Sequence, residues 1–261
     1  MRGVFLEELC WPEAAERFRA GAVVLVPIGA AAKEHGPHLP LGTDYRVARE
    51  LARRVAVALP VVIAPVVAFG YYPAFVRYPG SQHLRAETFM ALVTDVLAGL
   101  IRQGARRIAL LNTGVSTEAP LRVVVRDVYA AHGVRVAVAD IRDLGRAIRP
   151  RLRQKLGGHA DELETAMILA IDPGAVRMAR AVEDYGHAPP EPATVFYQPV
   201  VFDNDPASGL DWSRTGARGD PTLATPELGE AALAEMSREL VAGLQALFPE
   251  ALADAPEAPA P

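Results

Sequence analysis

The chain has 261 residues, 51% of them hydrophobic, enough to bury the core of one large domain or two small ones. A net charge of −4, with basic residues scattered or paired with acids, excludes the concentrated positive field that nucleic-acid binding needs. The single cysteine, Cys10, excludes an internal disulfide and a multi-cysteine metal knuckle, and fits a reducing compartment. The first eight residues break their apolar run with Glu7 and Glu8, unlike a secretory leader, and no stretch is apolar for long enough to span a bilayer. The expectation is a soluble cytoplasmic protein with neither membrane nor nucleic acid as partner.

Residues 12–20 suit a short helix with Pro12 in its first turn. The apolar run at 22–26 reads as a buried strand. After it comes a loop to residue 44, stiffened by Gly36, Pro37, Pro40 and Gly42, that carries Glu34, His35, His38 and Asp44. It leaves the carboxyl end of a strand, where open α/β sheets place their sites. A stiff loop also holds ligands at low entropic cost. Thr43 or Asp44 suits the cap of the next helix, which the apolar positions Val47, Leu51, Val55 and Val57 place at about 45–58. The β-branched run 61–67 reads as a strand whose Pro65 calls for an edge or a bulge. Residues 70–85 form an aromatic loop with Tyr71, Tyr72, Phe75 and Tyr78, which either walls a pocket or packs on a neighbouring subunit. His83 beside them is either a substrate contact or a packed surface residue.

Residues 86–103 read as a helix and 107–112 as a strand, ending in the loop Asn112-Thr113-Gly114-Val115-Ser116-Thr117. A helix at 118–132 and a strand at 134–139 complete a further β-α-β unit. This alternation implies an α/β fold, a three-layer sandwich with a mostly parallel central sheet. Residues 157–165 then open an apolar helix that Pro173 stops; Asp161 and Glu164 are spaced almost as a capping box. Residues 184–224 are too long for a plain loop, so short strands or an ordered excursion are expected. Thr225-Pro226 opens a last helix that ends near residue 248. The organisation expected is a single domain over 1–250 with a disordered Ala/Pro-rich tail at 251–261.

The loops 33–44, 112–117 and 157–165 jointly supply Glu34, His35, His38, Asp44, Asn112, Ser116, His159, Asp161, Glu162 and Glu164. Imidazoles and carboxylates without thiolates suit Zn²⁺, Mn²⁺ or Fe²⁺ in a hydrolytic site. A bridging carboxylate such as Asp44 can hold two ions about 3.5–4 Å apart. Structural roles compete: Asp161 as a helix cap, His38 hydrogen-bonded to its own loop, Ser116 and Thr117 as caps of the following helix. His132, at a helix end, and His187, in the irregular segment, read as structural. Neither a G-x-S-x-G elbow nor a Gly-rich phosphate loop is present.

The runs Val26-Pro27-Ile28-Gly29-Ala30, His35-Gly36-Pro37-His38-Leu39-Pro40-Leu41-Gly42-Thr43-Asp44 and Gly158-His159-Ala160 with Glu164-Thr165 resemble the creatininase (creatinine amidohydrolase) family. So does Gly219-Asp220-Pro221-Thr222-Leu223-Ala224-Thr225, and the order matches from about residue 5 to 248. The resemblance implies an α/β, metal-dependent hydrolase of cyclic amides, formamides or peptides, a homo-oligomer and often a hexamer. Position by position, His35 and Asp44 match metal ligands, Asp44 the bridging one, while His159 and Glu164 match the pair facing substrate and water. Three places depart. The family's Glu-Gln-His-Gly is Lys33-Glu34-His35-Gly36 here, with one extra residue after Gly29, so Glu34 replaces the usual glutamate only if the loop bulges. The family's Asn-Gly-His is Asn112-Thr113-Gly114, so a ligand histidine is missing, and Ser116 stands where a ligand carboxylate is found.

The resulting expectation is a metal-dependent amidohydrolase using zinc, manganese or iron to cleave a C–N bond of a small substrate through metal-activated water. Glu34, His35, Asp44 and Glu164 would serve the metal, His159 and Glu164 the catalysis, and Asn112, His83 and Ser116 the substrate. The alternatives are a catalytically altered relative that binds a ligand or serves assembly, and a maturation-type metallopeptidase.

Overall fold

The computed structural model describes residues 1–186, 200, 202–208 and 211–253. Its sheet is built around β2 (Val23–Ile28), whose six residues are all buried, as expected for a parallel strand covered on both faces. The other strands are β1 (Val4–Phe5), β3 (Val62–Ile63), β4 (Arg107–Asn112) and β5 (Val136–Asp140). All neighbours run parallel in the order β1-β3-β2-β4-β5. Ile28 pairs with Asn112 and Asn112 with Asp140, so the carboxyl ends of β2, β4 and β5 finish in one row. The loops that follow β2 and β4 therefore emerge side by side.

The helices are α1 (Trp11–Arg19), α2 (Thr43–Ala58), α3 (Ala86–Arg102), α4 (Glu118–His132), α5 (Glu162–Ile171) and α6 (Pro226–Leu247). On one face of the sheet, Leu51 and Val55 of α2, Ile168 of α5 and Leu233 of α6 pack with Leu25, Ile63 and Leu111. On the other, Phe89 and Leu97 of α3 and Leu121 and Val124 of α4 pack with Val24, Val26 and Leu110. This is the expected three-layer sandwich. Each fully buried Leu or Phe contributes roughly 1.5–3 kcal/mol. The close fit of α5 and α6 depends on Gly229, where a Cβ would lie 1.8 Å from the Ala166 carbonyl oxygen.

Three expectations are refined, and one strand was not expected. The strand at 61–67 is not an edge: β3 lies between β1 and β2, and Pro65 interrupts it until Val67 bridges to Ile28, which makes a bulge. Val57 is exposed and leaves the apolar stripe of α2 to Val47, Leu51 and Val55. The two-residue strand β1 is too short for periodicity to reveal. Within 184–224 the described residues form isolated bridges, Asp184 with Gly219 and Asp203 with Trp212, rather than strands. His187 and residues 254–261 of the expected tail lie outside the described residues. Among the described residues no helix is long and apolar enough to cross a membrane.

Candidate metal centre

Where β2 ends, Gly29 passes so close to the first turn of α2 that a Cβ would lie 2.4 Å from the Asp44 carbonyl oxygen. The Thr113 hydroxyl, from the loop after β4, donates to that same oxygen at 2.9 Å and joins the two loops. The β2 loop is pinned across its width: Lys33 N–H donates to the Leu41 carbonyl at 3.0 Å and Glu34 N–H to the Ser81 hydroxyl at 3.0 Å. Gly42 takes the cap position of α2, and the Thr43 hydroxyl donates back to the Pro40 carbonyl at 2.8 Å. Asp44 is left inside the first helical turn, where the helix dipole favours a carboxylate.

The third segment turns sharply into α5. Asp161 is its cap, accepting from the N–H groups of Leu163 at 2.9 Å and Glu164 at 3.0 Å. Between His159 and Asp161, Ala160 has φ +48°, the one positive value outside glycine among the described residues. Such a backbone costs about 1–2 kcal/mol for a residue with a Cβ and persists only where its surroundings enforce it. The turn is held by backbone hydrogen bonds between His159 and Arg218, 2.7 and 3.3 Å, and by Ala160 N–H donating to Glu164 Oε2 at 2.6 Å. It carries the His159 ring inward, 4.9 Å from that of His35.

His35 is fully buried, with Nδ1 2.9 Å from the Lys33 carbonyl and Nε2 3.0 Å from Asp44 Oδ1. A carbonyl only accepts, so Nδ1 carries the proton and a neutral ring aims its Nε2 lone pair at the carboxylate. Two lone pairs so placed call for a cation, either a second ring proton or a metal ion. An outer hydrogen bond that fixes the tautomer is also what a metal-binding histidine needs. One ligand atom from each of His35, His159 and Glu164 lies within 4.8 Å of the others. His159 Nε2 faces two acceptors, the Glu34 carbonyl and Glu34 Oε2, each at 2.9 Å, so Nε2 is the protonated nitrogen. Its Nδ1 is 3.9 Å from Glu164 Oε2. His35, His159 and Glu164 could together hold a single divalent cation with nitrogen and oxygen ligands, and Asp44 Oδ1 lies beside them on His35 Nε2.

On its other side the Asp44 carboxylate meets Lys33, whose Nζ is 2.8 Å from Oδ2 and 5.0 Å over the Phe75 ring. Lys33 is 6% exposed and Asp44 3%. Burial alone would raise the Asp44 carboxyl, but Lys33 and then His35 outweigh it and hold it well below the usual carboxylate range. Burial alone would lower the Lys33 ammonium, but Asp44, Glu164 and Glu34 keep it above its ordinary value. For His159, burial is likewise outweighed, by Glu34 and then Glu164, and the pKa rises. His38 goes the other way: burial lowers it to about 4. Its Nε2 is 2.8 Å from the Thr165 hydroxyl rather than on its own loop's backbone.

The remaining residues singled out from sequence fall in several places. Glu34 folds back onto the Gly36 N–H and His159, away from Asp44. Asn112 is fully buried; its amide donates to Asp140 Oδ2 and the Gly114 carbonyl, both at 2.8 Å, and accepts from the Thr117 hydroxyl at 2.6 Å. Thr117 thus shapes the loop instead of capping α4 with its side chain. Ser116 lines a cavity of about 10 Å³ together with Lys33, Asp44, Gly114, Tyr71 and Tyr72, room for about one water. His83 accepts from Tyr72 N–H at 3.4 Å, in the aromatic loop rather than among the cluster. Glu162 accepts from the N–H groups of Arg153 and Gln154, both at 2.8 Å, a structural role.

The aromatic loop walls the centre: the Phe75 ring lies 4.4 Å from His159 and 5.4 Å from Phe202, and the Tyr78 hydroxyl donates to the Ser213 carbonyl at 2.7 Å. Glu164 also lines a cleft of about 410 Å³ with Arg142, Arg149 and Met236. Sequence reasoning missed Lys33, while Phe75 stands in the loop expected to wall a pocket. The signal for Lys33 was present, a lysine standing in the motif where the resembled family has a glutamate.

Comparison with known proteins agrees with this architecture. The family model described as "Creatininase: Creatinine amidohydrolase" matches residues 7–244. The chain is 25% identical to a 3-dehydro-scyllo-inosose hydrolase of Thermotoga maritima, over 95% of this chain and 85% of that protein. It is 26% identical to the creatinine amidohydrolase of Pseudomonas putida, over 95% and 98%. It is 28% identical to a mycofactocin precursor peptide peptidase of Mycobacterium tuberculosis, over 87% and 86%. Two solved structures, a manganese creatininase and a mutant creatininase of Zn-Zn type, each superpose with a TM-score of 0.80 at 26% identity. They cover 95% of this chain, and 99% and 100% of their own. The chain belongs to the creatininase family.

Proposed function

We propose that this protein is a metal-dependent amidohydrolase that cleaves an amide, cyclic amide or formamide C–N bond of a small substrate. The observation that carries this reading is the meeting of His35 from the β2 loop with His159 and Glu164 from the turn into α5, their ligand atoms within 4.8 Å of one another, with Asp44 Oδ1 3.0 Å from His35 Nε2. His35 Nε2, Asp44 Oδ1 and a Glu164 oxygen would hold zinc, manganese or iron, the metals their donor chemistry suits. Such an ion, when bound, polarises a substrate carbonyl and brings the pKa of a coordinated water towards neutrality. The Lys33 carbonyl fixes the tautomer of His35. His159, its Nε2–H held by Glu34, takes a proton at Nδ1 from the attacking water and returns it to the leaving nitrogen. Phe75 and Phe202 against the His159 ring keep bulk water away. The reading includes one domain over 1–250 and a cytoplasmic homo-oligomer; the free, exposed thiol of Cys10 suits a reducing compartment.

Elemental analysis of the purified protein, with hydrolysis assays over cyclic amides, formamides and short peptides, tests the reading. The wild type is expected to retain metal and turn over one of these classes, and Asp44→Ala to lose both. Unchanged metal content and activity in Asp44→Ala overturns it. A second reading, a relative that binds ligand without catalysis, is favoured by the Lys33 ammonium on Asp44 and the absence of ligand side chains at Gly114 and Ser116. It predicts ligand binding with no turnover across the panel. The Mycobacterium tuberculosis relative favours a peptide substrate, which the peptide arm of the panel separates.

A further inference from the structure

We propose that Lys33 is a built-in second cation, its ammonium standing where a two-metal centre would place another ion on Asp44, so that the centre takes one divalent cation per chain. This rests on the metal-dependent reading above and goes beyond it. A carboxylate that bridges two ions offers one oxygen to each. Here Asp44 Oδ1 faces His35 Nε2 at 3.0 Å and Oδ2 faces Lys33 Nζ at 2.8 Å. The Oδ2 position is therefore filled by a covalently attached positive charge. Lys33 is tied on both sides of its Cα, its N–H to the Leu41 carbonyl and its C=O to His35 Nδ1, and its Nζ lies over Phe75. Being buried, the ammonium does not exchange this place for water at little cost.

The surroundings of Oδ2 agree. A second ion there would need ligands besides Asp44. The cavity beside it is lined by Gly114, which has no side chain, and by Ser116, a neutral hydroxyl. Glu34, next in the chain to Lys33, is held away by the Gly36 N–H and His159. Three positions around Oδ2 where the resembled family's pattern has anionic or imidazole ligands thus hold a cation, a hydrogen atom and a hydroxyl. The changes compensate one another: a position without ligands carries its own charge.

The test is zinc per chain, measured by mass spectrometry after loading with excess Zn²⁺ and gel filtration, on the wild type and on the double variant Lys33→Glu/Gly114→His. Gly114 does not have a positive φ, and the one close contact of a Cβ there is the Thr117 hydroxyl at 3.0 Å, which would have to give by a few tenths of an ångström. One zinc in the wild type and two in the variant are expected. Two in the wild type overturn the inference and leave the hydrolase reading standing. One in both, with the variant folded by circular dichroism, also overturns the inference alone. None in the wild type overturns the metal-dependent reading and this inference with it. Should the variant fail to fold, an anomalous-difference map of zinc-loaded wild-type crystals decides. A single peak beside Asp44 Oδ1 with Lys33 still paired to Oδ2 supports the inference, and two peaks refute it.

Discussion

On its Oδ1 side Asp44 faces His35, with His159 and Glu164 behind; on its Oδ2 side it faces Lys33, with Gly114 and Ser116 behind. Lone pairs crowd the first side, where the proposed reading puts a cation from solution. The second side already has one. The contrast shows how one buried carboxylate satisfies a variable partner and a permanent one together. It also shows why a motif counted by residue type misleads: His35 and Asp44 match the resembled family's pattern, while Lys33, Gly114 and Ser116 around Oδ2 do not. Buried charges persist only in pairs, so each half of the contrast can be removed separately and read by what the other half does.

The largest effect is expected for Asp44→Ala, which removes both halves at once. Lys33 is then buried without its carboxylate, and losing one partner of a buried pair typically costs about 3–5 kcal/mol. Zinc binding and activity should both fall below detection, with a drop in melting temperature of the metal-free protein. Next is Lys33→Met, which removes only the second half. It should also destabilise the metal-free protein, by about 3 kcal/mol at the lower end of that range, because Asp44 Oδ2 loses its cation. Unlike Asp44→Ala it should still bind zinc, and zinc should restore a large part of the lost melting temperature. Zinc loss equal to that of Asp44→Ala would erase the distinction between the two sides.

Much of the fold was legible because periodicity and punctuation agreed: α2 through α6 and the strands β2, β4 and β5 stand within a few residues of their expected places. β1 was not, since two residues carry no period. Pro65 signalled an irregular strand but not that β3 would be internal, because strand order is set by packing that a local pattern does not contain. In the site, two of the converging loops, 33–44 and 112–117, were legible from their places after strands, and 157–165 from its place at a helix start. Side-chain direction was not. The sequence placed Glu34 and Lys33 side by side, and only the fold shows Lys33 turned to Asp44 and Glu34 to His159. Asn112 and Thr117 looked available as polar residues, whereas burial and the demands of the loop engage them with each other.

A smaller effect is expected from pH, through a group beside the cluster. His38 is held near 4 by burial, against 6.5 when exposed, so it stays neutral in the folded chain and takes up a proton on unfolding between those values. The unfolded state binds more protons across this window, and stability therefore falls as pH drops from about 6.5 to about 4, and rises again as pH is raised. A depression of this size corresponds to roughly 3 kcal/mol. Urea unfolding at pH 7 and pH 4.5 should show this loss in the wild type, and His38→Gln should reduce the difference between the two pH values. An unchanged pH difference in the variant would assign the loss to other groups.

The smallest effect on stability, and the most specific effect on function, is expected for Ala160→Gly. A glycine removes the cost of φ +48°, about 1–2 kcal/mol. It also gives the unfolded chain more freedom, at about 0.5–1 kcal/mol, and removes a buried methyl from the core cluster. These nearly cancel, so the melting temperature should move little. The turn, however, sets the direction of His159 and offers Glu164 its backbone N–H. Without a Cβ to restrict it, the turn samples other conformations and His159 Nδ1 is less often aligned with the reacting nitrogen. On the amidohydrolase reading, kcat should fall severalfold and zinc content much less, because His35 and Asp44 lie outside the turn and Glu164 is touched only through the Ala160 N–H. A fall in zinc content with kcat per bound metal unchanged would instead make the turn part of the ligand shell, and would move His159 from the proton-transfer role to the metal.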